Sequence, residues 1–172
     1  MFAAGGLTQG AGGIAELSRQ VLKTLLDLRR EKRIELRVQI LDEPEPAAGD
    51  ELFAGMDLPE IRWYGGKRWR FAAGLLASRA DLLLFDHVGL ARLQGLLPEM
   101  LSVPYVLLIH SVEIWNNHRP DYHRTARRAR LLVANSEYTE HKARSHYPDL
   151  PKIVVCRPGK DMPESDSPGS GD

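Results

Sequence analysis

The chain has 172 residues, of which 43% are hydrophobic, and its 23 basic side chains balance its 23 acidic ones. This size fits one domain with a full core, and the charge balance excludes the general attraction to nucleic acid that a strongly basic protein shows. A single cysteine, Cys156, excludes an internal disulfide, and no run of about eighteen apolar residues predicts a membrane span.

The chain opens with a short apolar run, Met1 to Ala4, followed by a glycine-rich segment and an amphipathic helix. Glycine lets the backbone approach a ligand closely, and a helix N-terminus presents unpaired N–H groups, so this order predicts a phosphate or diphosphate site. Gly10, Gly12 and Ala15 match the alanine form of the dinucleotide fingerprint, although Gly5 to Gln9 separate the motif from the strand. A plain loop before a helix is the alternative.

The first helix is predicted over Ile14 to Arg30, because apolar residues recur there at three- and four-residue steps. The stripe expected to face the core consists of Ile14, Leu17, Val21, Leu25 and Leu28.

A second strand is predicted over Ile34 to Leu41, and Asp42 follows its end. An acid at this point either holds a ribose hydroxyl, as in dinucleotide-binding folds, or begins the turn that follows. The proline-rich sequence after Asp42 favours the turn.

The next predicted pair is a short strand at Ile61 to Tyr64 and a helix from Lys67 to Arg79. At the start of this helix, basic residues alternate with Trp69 and Phe71. Such a mixture can mark contact with a membrane surface. The favoured interpretation places both aromatic side chains in the core and the cations in solvent, which predicts a mostly buried Trp69.

Strands and helices continue to alternate. The expected strands are Asp81–Phe85, Val103–Ile109, Leu131–Ala134 and Ile153–Cys156, and the expected helices are Leu90–Met100, Tyr122–Arg130 and Glu137–His146, the last capped by Ser136. This alternation predicts one α/β, Rossmann-like domain with about six or seven parallel strands and helices on both faces. Ligands of such sheets bind at the carboxyl ends of the strands. The polar residues expected there include Asp42, Asp86, His87, His110, Glu113, Asn135 and Ser136.

Six segments follow one another in a specific order from Phe2 to about Lys160: GGLTQGAGGIAELSRQVLKTL, WRFAAGLL, DLLLFDHVGLARL, PYVLLIHSVEIW, LLVANSEYTEHKARSHYP and KIVVCRPG. By these segments and their order, the chain resembles the N-terminal domain of family-4-like glycosyltransferases of the GT-B fold. Arg157-Pro158-Gly159 stands where the family has Pro-Asn-Gly. The family implies that residues 1–160 form the acceptor-side half of a glycosyltransferase. Residues 161–172 are rich in Pro, Ser, Gly and acidic residues, which predicts a disordered tail, and the resemblance offers a truncated interdomain linker as the alternative.

The resemblance also implies site residues. Gly12 and Gly13 should lie near the diphosphate of a nucleotide-sugar donor, and His110 matches the histidine that reaches toward the transferred sugar. His87, Glu113 and Ser136 are expected at the acceptor or sugar pocket. The basic residue and the glutamate pair with which the family binds most of the donor belong to a second domain, so we expect the isolated chain to be inactive.

Two other interpretations remain open. Gly10, Gly12, Ala15 and Asp42 suit a nicotinamide-dependent oxidoreductase, and Tyr138 and Lys142 have the spacing of a Tyr-x-x-x-Lys pair. The chain could also be a binding module that keeps the fold without catalysis.

The expected partners are a nucleotide sugar, a glycan or lipid-linked acceptor, and a C-terminal glycosyltransferase domain in the same or another chain. No cofactor, metal or nucleic acid is expected. The pairs His118 with His123 and His141 with His146 are five residues apart, which does not suit one helical face. The basic stretch from Arg119 to Arg130 is interpreted as a solvated helix face or a surface toward a partner domain. The expected location is cytoplasmic, with at most peripheral contact at the inner face of the membrane.

Overall fold

The computed structural model of the chain describes residues 1–8, 13–46, 57–110 and 119–159. Strands and helices alternate along these residues. They are β1 (Phe2–Ala4), α1 (Gly13–Arg30), β2 (Arg37–Ile40), β3 (Glu60–Trp63), α2 (Arg68–Ala77), β4 (Leu83–Phe85), α3 (Val88–Leu96), a short 3-10 helix (Glu99–Leu101), β5 (Tyr105–Ile109), α4 (Pro120–Arg128), β6 (Leu131–Ala134), α5 (Glu137–His146) and β7 (Ile153–Val155).

The seven strands form one sheet in the order β3-β2-β1-β4-β5-β6-β7. Every neighbouring pair is parallel, with Ala3 of β1 opposite Gln39 of β2 on one side and Phe85 of β4 on the other. The predicted Rossmann-like parallel sheet is therefore confirmed. Because all strands are parallel, their carboxyl ends meet at one edge. The strand order reverses between β1 and β4, since β2 and β3 are added on one side of β1 and β4 to β7 on the other.

Helices cover both faces of the sheet. On one face, Leu22 and Leu26 of α1 pack against Phe2 and Val38. On the other face, buried side chains of α2, α3, α4 and α5 form a larger cluster with alternate residues of the strands. The strands thus carry apolar side chains on both sides, as strands buried in an α/β domain do.

The apolar stripe predicted for α1 is wrong by about one residue. The side chains that the sheet buries are Ala15, Ser18, Leu22 and Leu26, which also follow three- and four-residue steps. Ile14 is 43% exposed, and the other members of the predicted stripe are half-buried. Small residues at positions 15 and 18 bring the helix close to the sheet, so the bulkier flank turns partly away.

The predicted burial of Trp69 is also wrong. Trp69 is 70% exposed, whereas Phe71 and Leu75 of α2 are buried and Phe71 packs edge-to-face on Tyr64. Two residues correspond to about 200° around a helix, so a helix with one buried face cannot bury both aromatic side chains. Phe71 is buried against the sheet. Trp69 lies beneath the guanidinium of Arg70, whose central carbon is 5.2 Å from the Trp69 ring centroid.

Two boundaries differ in a way that affects the site. Strand β4 begins at Leu83 rather than Asp81, and α3 begins at Val88, with His87 as its N-cap residue. The helix was predicted to begin at Leu90, so Val88 and Gly89 extend it by two residues at its N-terminus. The proposed tail, residues 161–172, lies outside the described residues. Within the described part, no helix has the length and apolar character needed to cross a membrane.

Candidate functional site

Asp86 is the central residue at the carboxyl edge of the sheet. It follows β4, is fully buried, and accepts hydrogen bonds at Oδ2 from the Gly5 amide (2.8 Å) and the Ser18 hydroxyl (3.1 Å). Its own amide donates to the Ala3 carbonyl at 3.1 Å. One carboxylate therefore holds the end of β1 and the second turn of α1 in place, because its oxygens can accept hydrogen bonds from donors on both elements.

The same carboxylate orients His87. Nδ1 of His87 lies 2.6 Å from Asp86 Oδ1, and the imidazole side chain is 26% exposed. Because a carboxylate accepts, Nδ1 of His87 carries the proton of this hydrogen bond. A buried acid thus orients a partly exposed imidazole at the edge of the sheet.

His110, at the end of β5, is held through the backbone of Asp86. Its Nε2 donates to the Asp86 carbonyl oxygen at 2.6 Å, and the residue is only 6% exposed. Burial lowers the pKa of His110 below its ordinary value of 6.5, and the nearby His87 lowers it further, while the hydrogen bond and charge of Asp86 oppose the shift. At neutral pH, His110 is therefore an uncharged hydrogen-bonding group.

An open cleft of about 370 Å³ lies beside His110 and the start of α1, and we call it the α1 cleft. Its lining combines the exposed flank of α1 with the ends of β5, β6 and β7. The residues are Gly13, Ile14, Glu16, Leu17, Gln20, His110, Asn135 and Pro158. Gly13 and Ile14 of the first turn of α1 line this cleft, so the partial positive charge of the helix N-terminus lies beside it, together with the Glu16 carboxylate.

The segment after β1 has a fixed conformation. The amides of Leu7 and Thr8 donate to the two carboxylate oxygens of Glu43, at 2.9 and 2.8 Å, and Arg19 donates to the carbonyls of both residues. A Cβ on Gly6 would lie 2.4 Å from Glu43 Oε1, so a larger residue there would displace the Glu43 carboxylate from this position. Residues 5–8 are therefore an ordered connection between β1 and the glycine motif, held by Glu43 and Arg19.

Ser136 has a structural role that was predicted correctly. Its hydroxyl accepts the Thr139 amide at 3.1 Å and caps α5. Thr139 in turn donates to Asn135 Oδ1 at 2.7 Å. The cap therefore positions Asn135, and it is Asn135 rather than Ser136 that lines the α1 cleft.

A second cleft, of about 300 Å³, lies between α2, α3 and the start of α4, and we call it the arginine cleft. It has an apolar floor and a polar rim. The residues are Leu41, Asp42, Arg68, Phe71, Ala72, Leu75, His87, Gly89, Leu90, Arg92, Leu93, Arg119 and Tyr122. A Cβ on Gly5 would lie 3.4 Å from both Asp42 Oδ2 and His87 Cε1, so these two side chains meet at the end of β1.

The predicted site residues thus divide between two clefts on either side of Asp86. Gly13 and His110 share the α1 cleft, whereas His87 lies in the arginine cleft. Gly12 and Glu113 lie outside the described residues. Asp42 follows β2 in a bend, as the favoured interpretation predicted, and also reaches the arginine cleft.

Sequence reasoning placed Asp86 at the correct edge and did not recognise it as a site residue. The available signal was an acidic residue between a buried apolar strand and a histidine. Reasoning also missed Arg68, Arg92 and Tyr122, because their convergence depends on how α2, α3 and α4 pack. Within the basic stretch, Arg128 is structural, because it donates to the carbonyls of Gly95 and Leu97 at the end of α3.

Of the residues of the oxidoreductase interpretation, Gly10 and Gly12 lie outside the described residues, and Tyr138 and Lys142 lie away from both clefts. The Lys142 ammonium lies 5.7 Å from the ring centroid of Tyr138, and Tyr138 is 63% exposed on α5. Neither side chain is among the described residues that line the two clefts. Across the described ranges, no three His, Cys, Asp or Glu side chains are grouped to bind a metal ion.

Comparison with models of known protein families gives no match, and comparison with curated protein sequences gives no significant one.

Proposed function

We propose that the chain is the acceptor-side half of a glycosyltransferase that transfers a sugar from a nucleotide-sugar donor. The observation that carries the proposal is the α1 cleft, where a helix N-terminus, a buried neutral histidine and an asparagine meet at the carboxyl edge of a parallel sheet. Together with the sequence resemblance, this arrangement favours the transferase over the two alternatives. A C-terminal domain, in the same or another chain, would hold the nucleoside.

The chemistry of sugar transfer fits these groups. Departure of a nucleoside diphosphate places negative charge on the leaving oxygen, and the amides at the start of α1 would stabilise that charge. The Nε2–H group of His110 donates a hydrogen bond to the Asp86 carbonyl oxygen, and the lowered pKa of His110 leaves the ring neutral. We therefore assign His110 to hydrogen bonding with the transferred sugar.

His87 is placed to accept a proton on the other side of Asp86. Its ring is oriented by the Asp86 carboxylate and faces the arginine cleft, where an acceptor hydroxyl would lie. A general base needs both an orienting partner and an accessible nitrogen on the substrate side.

The proposal is tested by NMR titration of the chain with uridine diphosphate. With only half of the donor site present, a dissociation constant of about 1 mM is expected. Gly13→Val should weaken binding at least about tenfold, because the branched side chain would project into the cleft. A Cβ at Gly13 has no described atom within 4 Å, so the substitution should not disturb packing.

The matched control is Thr24→Val, which places a valine at an exposed position of α1 outside the cleft. It should bind uridine diphosphate as the wild type does. Equal binding by the Gly13→Val variant, or no saturable binding by the wild type, would reject the α1 cleft as a diphosphate site.

A further inference from the structure

The arginine cleft carries more positive charge than the site of a neutral sugar requires. Arg68 comes from the first turn of α2, Arg92 from α3, and Arg119 from the residue before α4. Asp42 is the only carboxylate among the described lining residues. Three guanidinium groups from three separate elements therefore surround one concave surface.

Two of these arginines are already oriented. Asp121 binds Arg92 at 2.6 Å and Arg119 at 3.2 Å. The two guanidinium carbons lie 5.8 and 4.8 Å from the ring centroid of Tyr122, which packs beside both. Slight burial raises the pKa of Asp121, but the hydrogen bond from Arg119 and the charges of both arginines outweigh it, so the net pKa is lowered. Asp121 is thus a fixed anion that positions both cations.

Donors remain for a ligand. Arg92 Nε is buried, and among the described residues no acceptor lies within hydrogen-bonding distance of it. The Arg68 side chain is exposed and makes no hydrogen bond or ion pair with another described residue. Arg92 Nε is enclosed by protein atoms, so the exposed Arg68 guanidinium is the group that offers N–H donors directly to an anion in the cleft.

We propose that the arginine cleft binds the phosphate group of a phosphate-bearing acceptor. This inference rests on the proposed function, because it identifies the acceptor of that reaction. Arginine binds phosphate through paired N–H donors in a fixed geometry. The buried floor of Phe71, Leu75 and Leu90 would contact the apolar part of the acceptor, and His87 would lie beside its hydroxyl.

The test compares sn-glycerol 3-phosphate with glycerol in NMR titrations that follow the ring signals of His87 and Tyr122. Saturable binding of the phosphate ester alone is expected. Arg68→Gln should weaken it at least about tenfold. Arg70→Gln is the matched control: it removes the same charge from the same helix turn, but Arg70 lines a different surface with Trp63 and Ala73.

A second arm separates a free phosphate ester from a lipid headgroup. Phosphatidylcholine vesicles with and without phosphatidic acid are sedimented with each variant. Retention that requires phosphatidic acid and is lost in Arg68→Gln but not in Arg70→Gln supports a lipid source, and the soluble titration supports a free one. Equal behaviour of the two variants in both arms, or no saturable binding in either arm, overturns the proposal.

These titrations do not involve the α1 cleft. Phosphate binding that depends on Arg68, in a chain that fails to bind uridine diphosphate, would support the phosphate site and count against the donor cleft alone. Binding of uridine diphosphate without any Arg68-dependent phosphate binding would overturn this inference and leave the proposed function standing.

Discussion

Removal of the Asp86 carboxylate should destabilise the fold strongly. In Asp86→Ala, the buried Gly5 amide and Ser18 hydroxyl lose their common acceptor, and His87 Nδ1 loses its partner at 2.6 Å. Each buried donor left without an acceptor costs about 1–3 kcal/mol. His87 is partly exposed and can turn to water, so the two fully buried donors and the vacated volume dominate. The expected loss in the free energy of unfolding is about 3–5 kcal/mol.

Urea denaturation followed by circular dichroism measures this loss. With a slope of about 2 kcal/mol per molar urea, the midpoint should fall by about 2 M. Ser18→Ala removes one of the three hydrogen bonds and should cost about 1 kcal/mol. Asp27→Ala removes an exposed carboxylate paired with Arg30 and should cost less than about 1 kcal/mol. A midpoint for Asp86→Ala as close to the wild type as that of Asp27→Ala would refute the central role of Asp86.

Two further predictions concern His110 and Gly95. Because burial lowers the folded-state pKa of His110 below 6.5, its neutral form contributes stability that is present above about pH 6.5 and is lost as the pH falls toward the folded-state pKa. An NMR titration should show His110 protonating below pH 6.5, and His110→Gln should reduce the loss of stability over that range. Gly95→Ala should cost about 1–3 kcal/mol in a denaturation experiment, because its Cβ would lie 2.3 Å from Thr125 Oγ1 and 2.8 Å from Thr125 Cα.

The architecture could be predicted because it depends on short-range patterns. Apolar runs of strand length, helical periodicity and punctuating glycines recur along the chain, and their alternation permits few topologies. The Ser136 cap could be predicted for the same reason, since its partner Thr139 is three residues away. From parallel strands alone, it followed that His87 and His110 lie at one edge.

The contacts that build the site could not be predicted in this way. Gly5 and Asp86 are 81 residues apart, and Leu7 and Glu43 are 36 apart. No local pattern specifies that one carboxylate serves β1, α1 and His87 together. The arginine cleft likewise depends on Asp121 of α4 reaching Arg92 of α3, a contact set by how these two helices pack.

The errors in helix orientation are informative about function. Ile14 was assigned to the core of α1 and instead lines the α1 cleft, while Trp69 was assigned to the core of α2 and instead lies exposed next to Arg68 of the arginine cleft. Both are large apolar residues in the first turn of a helix, at the carboxyl edge of the sheet. In a folded domain, conflicts between local pattern and tertiary position are expected where a surface serves binding rather than packing. Ile14 therefore belongs to a surface that a ligand of the α1 cleft can contact, whereas Trp69 is a single exposed aromatic residue covered in part by Arg70.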